Sequence, residues 1–172
     1  MMAEVEIGLA KSGRRGFGFD DISIVPSRRT RDREDVDTSW EIDAYRFGAP
    51  IIAAPMDGVT SPSTAIALGK LGGVGALHLE GLWTRYEDPE PLFEEIASLD
   101  DDKATRRMQE IYAEPVKPEL IGRRIAEIKD AGVVACAAVS PHRAQELAPE
   151  VVRAELDLLV IHGMVVSAEH VS

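Results

Sequence analysis

The chain has 172 residues, a formal net charge of −11, 45% hydrophobic residues, 28% charged residues and a single cysteine. This is enough apolar material for one domain with a buried core. The acidity excludes a phosphate-backbone binder, which needs a concentrated basic face, and the lone Cys136 excludes an internal disulfide framework. No run approaches the ~20 apolar residues of a membrane span, and the first residues lack the basic-then-apolar layout of a secretory signal. The expectation is a cytoplasmic protein with neither nucleic acid nor membrane as partner.

Residues 1–16 are polar and glycine-containing and are expected to be poorly ordered. Asp20-Asp21 leads into a short β-prone run, 22–25, stopped by Pro26. Arg28, Arg29, Arg31 and Arg33 are interleaved with Asp32, Glu34 and Asp35, which reads as a solvated arm. Residues 40–45 alternate by side, the pattern of a short surface strand. Up to residue 48 the chain is therefore an arm.

From 49 onward the pattern changes. Ile51-Ile52-Ala53-Ala54 is apolar without alternation, as in a strand buried on both faces of a parallel sheet. Pro55 stops it, Met56-Asp57-Gly58 turns the chain, and Ser61-Pro62 opens a helix over 62–71 that Gly72-Gly73 ends. A second strand covers 74–77. Proline and aspartate signals then predict short helices over 92–98 and 103–112, and Pro118 opens a longer one with Ile121, Ile125 and Ile128 on one face and Gly132 beyond its end. A third strand is predicted over 133–139, a helix from Ser140-Pro141 through Leu147 with a restart at Pro149, and a fourth strand over 156–161. Such alternation argues for an α/β protein with a parallel sheet. Periodicity leaves a doubly wound sheet and a (β/α)8 barrel both open.

In either architecture ligands bind at the carboxyl ends of the strands. These ends are 54–58, 78–81, 140–142 and 162–164. Gly72-Gly73-Val74-Gly75 resembles a phosphate loop but precedes a strand, the wrong end of the sheet, and reads as a helix cap. Cys136 lies mid-strand among Val and Ala and reads as a small core residue. His78 and His162 lie at strand ends, where a proton donor, a ligand contact or a hydrogen-bonded structural histidine all remain open. His142 falls in a first helical turn and is expected to be exposed. No His, Cys or carboxylate spacing suggests a metal site.

Three segments together resemble the IMP dehydrogenase/GMP reductase family, most closely its actinobacterial "IMP dehydrogenase-related" branch. Phe19 through Ser27 is similar to the family's opening F-D-D-v-x-l-v-P segment, Pro50 through Thr60 to its P-i-i-a-s-P-M-D-x-V-T strand and turn, and Leu71 through His78 to l-G-G-i-G-x-i-H, in the same order and spacing. Ser27 to Thr30, Trp40 to Phe47 and Glu80 to Trp83 are similar to the actinobacterial branch in particular. The resemblance implies a (β/α)8 barrel, with residues 1–48 as its arm and 49–172 as its N-terminal half. It implies a purine-nucleotide oxidoreductase using NAD or NADP(H), acting through a cysteine adduct at purine C2, and a homo-oligomer, commonly a tetramer. By position it assigns Ala54, Met56 and Asp57 to a purine nucleotide monophosphate, and His162 and Gly163 to the cofactor.

The chain departs from the family pattern in several places. Alanine stands at position 54, where serine is usual. Residues 83–118 are too short for the regulatory CBS pair, as in GMP reductase and the related branch. Ile161-His162-Gly163 replaces an Asp-Ser-Ser strand end whose carboxylate would bind the nicotinamide ribose. Only four strands are predicted against a barrel of ~250 residues, and the family's cysteine loop and phosphate loops belong to later strands. The expectation is an N-terminal fragment that is inactive alone and has exposed sheet edges. A GMP reductase, or a non-catalytic nucleotide-binding protein, is the alternative.

Overall fold

The computed structural model describes residues 4–14, 16–25, 29 and 32–163. Pro26, Ser27, Arg28, Thr30, Arg31 and Met164, each within a stretch used above, lie outside them. The chain divides into two compact units, Met1–Asp37 and Thr38–Ser172.

In the first unit β1 (Glu4–Gly8) and β2 (Lys11–Arg14) form an antiparallel hairpin. Within the stretch 1–16 expected to be poorly ordered, residues 4–14 thus form a paired hairpin, and 1–3 and 15 lie outside the described residues. The Glu-Val-Glu-Ile alternation at its start is a strand pattern that glycine and charge content obscured. The β-prone run 22–25 forms no strand. Before it, Phe19–Asp21 makes one 3-10 turn, closed by the Asp21 N–H on the Gly18 carbonyl (3.1 Å) and the Gly18 N–H on the Asp21 carboxylate (2.9 Å). Ile24 and Val25 are exposed.

The second unit starts with a hairpin, β3 (Trp40–Ile42) and β4 (Tyr45–Phe47), where a single surface strand was predicted. The chain reverses at Asp43, whose φ of 50° lies in the left-handed region that aspartate tolerates. Four parallel strands follow in chain order: β5 (Ile52–Ala53), β6 (Val74–His78), β7 (Cys136–Val139) and β8 (Leu158–Ile161). The helices between them are α1 (Pro62–Lys70), α2 (Glu90–Ala97), α3 (Asp101–Tyr112), α4 (Pro118–Asp130) and α5 (Pro141–Arg153).

Local chemistry explains most boundaries. The Ser61 side chain accepts from the Thr64 N–H, and Thr64 reciprocates onto the Ser61 N–H, a capping box that starts α1. Gly72, at φ 90°, ends it: the Gly73 N–H reaches the Leu68 carbonyl and the Gly72 N–H the Gly69 carbonyl, both at 3.0 Å. This is the paired bonding of a Schellman cap. Three of the four predicted strands are longer than the observed ones, and β6 extends one residue further to His78, because ladder pairing, not apolarity, sets strand length. Thus β7 starts at Cys136, after Ala135 has donated its N–H to the Asp157 carboxylate at 2.8 Å.

Helix α5 is one helix, not two. Pro149 removes the bond to Gln145, but Leu147 and Val151, four residues apart, both stay buried against the sheet. Pro149 itself faces solvent, so its ring meets no packed neighbour.

The sheet buries two faces. On one, Leu77, Ala137 and Val139 pack against Ile121, Ile125 and Ile128 of α4 and Leu147 and Val151 of α5. On the other, Val74, Ala76, Cys136 and Ala138 meet Phe47, with Trp40, Tyr45 and Leu158 beside them. The hairpin thus closes the amino-terminal end of the sheet. Trp40 stacks on Phe47 at 4.7 Å, and the Tyr45 hydroxyl donates to Asp157 at 3.1 Å. Binding groups are left to the opposite, carboxyl-terminal end.

Candidate functional site at the carboxyl ends of the strands

The loop after β5 is held by its own backbone. The Thr60 hydroxyl donates to the Ala54 carbonyl (2.7 Å), as does the Met56 N–H (2.8 Å), while the Val59 and Thr60 N–H groups converge on the Met56 carbonyl at 2.9 and 2.8 Å. Thr60 is fully buried beneath the loop. This arrangement leaves Ala54 exposed and Met56 58% exposed at the turn.

Asp57, next in the chain, has its carboxylate engaged within the protein. Its Oδ2 accepts the Leu82 N–H (3.0 Å) and the Tyr112 hydroxyl (2.5 Å), and its Oδ1 is buried without a partner. The site is tight: a Cβ added to Gly81 would lie 1.9 Å from that Oδ1. Burial, then the Asp57 carboxylate, hold the Tyr112 phenol above its ordinary range, so it is protonated and donates. Met56 and Asp57 share a pocket of about 400 Å3 with His78, Phe93, Met108 and Tyr112.

The segment after β6 is fastened on three sides. The Arg85 guanidinium donates twice to the Glu80 carbonyl, at 3.1 and 3.0 Å, donates to the Glu114 carbonyl, and lies 5.6 Å from the Tyr112 ring centre. The Tyr86 hydroxyl reaches the Ile111 carbonyl at 2.9 Å. Buried Arg124 of α4 donates to the Trp83 carbonyl (3.1 Å) and the Glu87 carbonyl (2.5 Å), with its cation over the Trp83 ring.

Glu80 bridges to the next strand end, its carboxylate accepting the Ser140 N–H at 2.6 Å. Burial alone would raise the Glu80 carboxyl. The Ser140 N–H and hydroxyl, with His78 and Arg143 nearby, outweigh it and hold the group below the ordinary carboxylate range.

The register pairs His78 with Ala138 and Ala138 with Val160. The ends of β5 and β8 are thus three strand spacings apart, about 14 Å. Ala54, Met56 and Asp57 stand together on one loop. His162 and Gly163 stand at the far edge, outside the Met56 pocket. His162 is exposed, its N–H bonded to the Val139 carbonyl at 2.9 Å, and a Cβ on Gly163 would meet the Pro141 ring at 2.8 Å.

Cys136 is buried on the sheet, and burial pushes its thiol up to about 11, which removes it as a nucleophile. His142 is exposed. Among the described residues no group of His, Cys and carboxylates could hold a metal, and no helix is long and apolar enough to cross a membrane. Sequence reasoning gave no role to Glu80, Arg85 or Tyr112. Glu80 had a signal, a charge two residues beyond a strand-end histidine. Tyr112 had none.

The family profile described as the IMP dehydrogenase / GMP reductase domain matches residues 16–171. An uncharacterized oxidoreductase of Mycolicibacterium smegmatis is 44% identical over 98% of this chain, and one of Mycobacterium tuberculosis H37Rv is 47% identical over the same share. The chain spans 46% of the length of each, about half. An inosine-5'-monophosphate dehydrogenase of Bacillus subtilis is 37% identical over 40% of the chain. The crystal structure of an IMP dehydrogenase/GMP reductase-like protein from Corynebacterium glutamicum superposes with a TM-score of 0.87 at 45% identity, covering 98% of this chain and 46% of that one. Four parallel strands alternating with helices, the loop that carries Met56, and these likenesses agree: the chain belongs to the IMP dehydrogenase/GMP reductase family of oxidoreductases and has the α/β architecture of its (β/α)8 barrels.

Proposed function

We propose that the intact protein is a purine-nucleotide oxidoreductase of the IMP dehydrogenase/GMP reductase type, and that this part supplies the barrel floor and one wall of the nucleotide site. The observation that carries the reading is Met56. Its side chain stands exposed at the turn of a loop fixed by four hydrogen bonds, at the strand end where ligands of such sheets bind. A purine face covers such a thioether favourably. Ala54 offers the nucleotide a flat apolar contact beside it, and Asp57 supports the loop from behind.

The family's chemistry, a cysteine adduct at purine C2 with hydride transfer involving NAD or NADP(H), uses residues beyond those described. Cys136 has no part in it. At the end of β8 the residues do not fit a nicotinamide ribose: His162 offers an imidazole and Gly163 only backbone, and neither supplies a carboxylate for the ribose hydroxyls. The cofactor and a homo-oligomeric state rest on the family alone. The segment 83–118, which carries α2 and α3 and is too short for a regulatory pair, is a feature of GMP reductase and of the related branch alike, and keeps GMP reduction as the alternative chemistry. A nucleotide-binding protein without turnover is the second reading, favoured by Ala54 and by His162-Gly163.

The test uses the intact protein, with IMP and GMP binding followed by calorimetry and turnover by nicotinamide absorbance. Met56→Ala is expected to weaken nucleotide binding about tenfold, the loss of part of one buried apolar side chain. Binding without turnover selects the second reading. No binding of either nucleotide overturns both.

A further inference from the structure

We propose that Tyr112 is a positioning residue for the nucleotide loop, acting through Asp57, so that the α2–α3 excursion sets the geometry at Met56. The inference rests on the functional reading above for its consequence, but the latch itself is a property of this chain.

Asp57 follows Met56 directly, and its carboxylate joins three separate segments. One oxygen receives the Leu82 N–H from the segment after β6 and the Tyr112 hydroxyl from the last residue of α3. Residues 57 and 112 are 55 positions apart, so no local propensity brings them together.

The end of α3 is itself fixed to the β6 side. Ile111 is buried, its carbonyl accepts the Tyr86 hydroxyl, and Arg85 spans from the Glu80 carbonyl to the Glu114 carbonyl with its guanidinium over the Tyr112 ring. Tyr112 therefore approaches Asp57 from a held position. Removal of its hydroxyl leaves the Oδ2 with only the Leu82 N–H, while the Oδ1 already lacks a partner. A carboxylate so poorly satisfied turns toward solvent, and the turn carries the adjacent Met56. Gly81 supports the same conclusion. Its φ is −87°, ordinary for any residue, so glycine there serves space and not backbone conformation. The space is filled by the Asp57 Oδ1.

The experiment compares wild type, Tyr112→Phe, Asp57→Asn and the double variant in the intact protein. Hydrogen exchange at the Met56, Val59 and Thr60 amides reads the latch without any ligand. Tyr112→Phe is expected to speed exchange there roughly tenfold and to leave β7 and α4 unchanged. In calorimetry with IMP and GMP it is expected to weaken binding roughly fivefold, with the double variant no weaker than Asp57→Asn alone. Unchanged exchange at 56–60 overturns the inference, whatever happens to overall stability. So does faster exchange combined with unchanged binding in a protein where Met56→Ala does weaken it. If wild type binds neither nucleotide the functional reading fails, and the exchange data still decide whether Tyr112 holds the loop.

Discussion

Gly81→Ala tests how firmly the Asp57 carboxylate is held. The new Cβ would lie 1.9 Å from Oδ1, 2.6 Å from Cγ and 2.7 Å from Oδ2. Ordinary contact begins near 3.4 Å, so the carboxylate must withdraw by about 1.5 Å. A hydrogen bond of 2.5 Å to Tyr112 and one of 3.0 Å to Leu82 cannot both survive such a movement. Loss of one hydrogen bond to a charged group costs about 1.5–3 kcal/mol, and residual crowding about 1 kcal/mol more. The expected destabilisation is therefore about 2.5–4 kcal/mol, measured by urea unfolding of the intact protein at neutral pH. The decisive comparison adds Asp57→Ala. If the clash is with the carboxylate, the double variant is no less stable than Asp57→Ala alone, a strong departure from additivity. A Gly81→Ala variant within 0.5 kcal/mol of wild type, or a simple sum in the double variant, would refute the reasoning.

Two further outcomes follow from the titrating groups. The Glu80 carboxyl is depressed in the folded state, so its contribution is present above the ordinary glutamate pKa of about 4.3 and is lost as pH falls through the lower folded value. Acid unfolding monitored by circular dichroism should show that Glu80→Gln removes stability at pH 6 but little at pH 2, and an equal loss at both would contradict the Ser140 bridge. Cys136, with its thiol raised to about 11, should resist alkylation at pH 8 in the native protein and react once denatured. Mass spectrometry of the labelled protein decides it, and rapid native labelling would contradict the burial.

Features carried by local chemistry were legible in the sequence. The Ser61-Pro62 start, the Gly72 end and the Ile121, Ile125, Ile128 face of α4 all appear where the pattern placed them. Features that depend on a neighbour were not. The run 22–25 has the β-propensity of a strand yet forms none, and β5 keeps only two paired residues of an apolar run of four. Pro149 reads as a break because propensity ignores the Leu147 and Val151 contacts that hold both halves of α5 on one surface. The same division holds at the site. The turn at Met56-Asp57-Gly58 is visible in sequence, but the Glu80 bond to Ser140 spans 60 residues and the Tyr112 bond to Asp57 spans 55. No periodicity encodes either.

The two ends of the sheet are built for different work. At the floor, Phe47 and Trp40 fill the space left by Ala76 and Ala138, small residues that let an aromatic pair approach the strands. This packing leaves the other end of the strands free of the hairpin. There the side chains change from apolar to polar within one residue pair, Ala76 to His78 on β6 and Ala138 to Ser140 beyond β7. The edges differ again: Ile52 on β5 and Leu159, Val160 and Ile161 on β8 are 53%, 40%, 36% and 60% exposed. Closure of a barrel of this family pairs both edges. The apolar side chains that such pairing covers are the ones these two edges expose, so the exposure follows from edge position and not from a polar surface pattern.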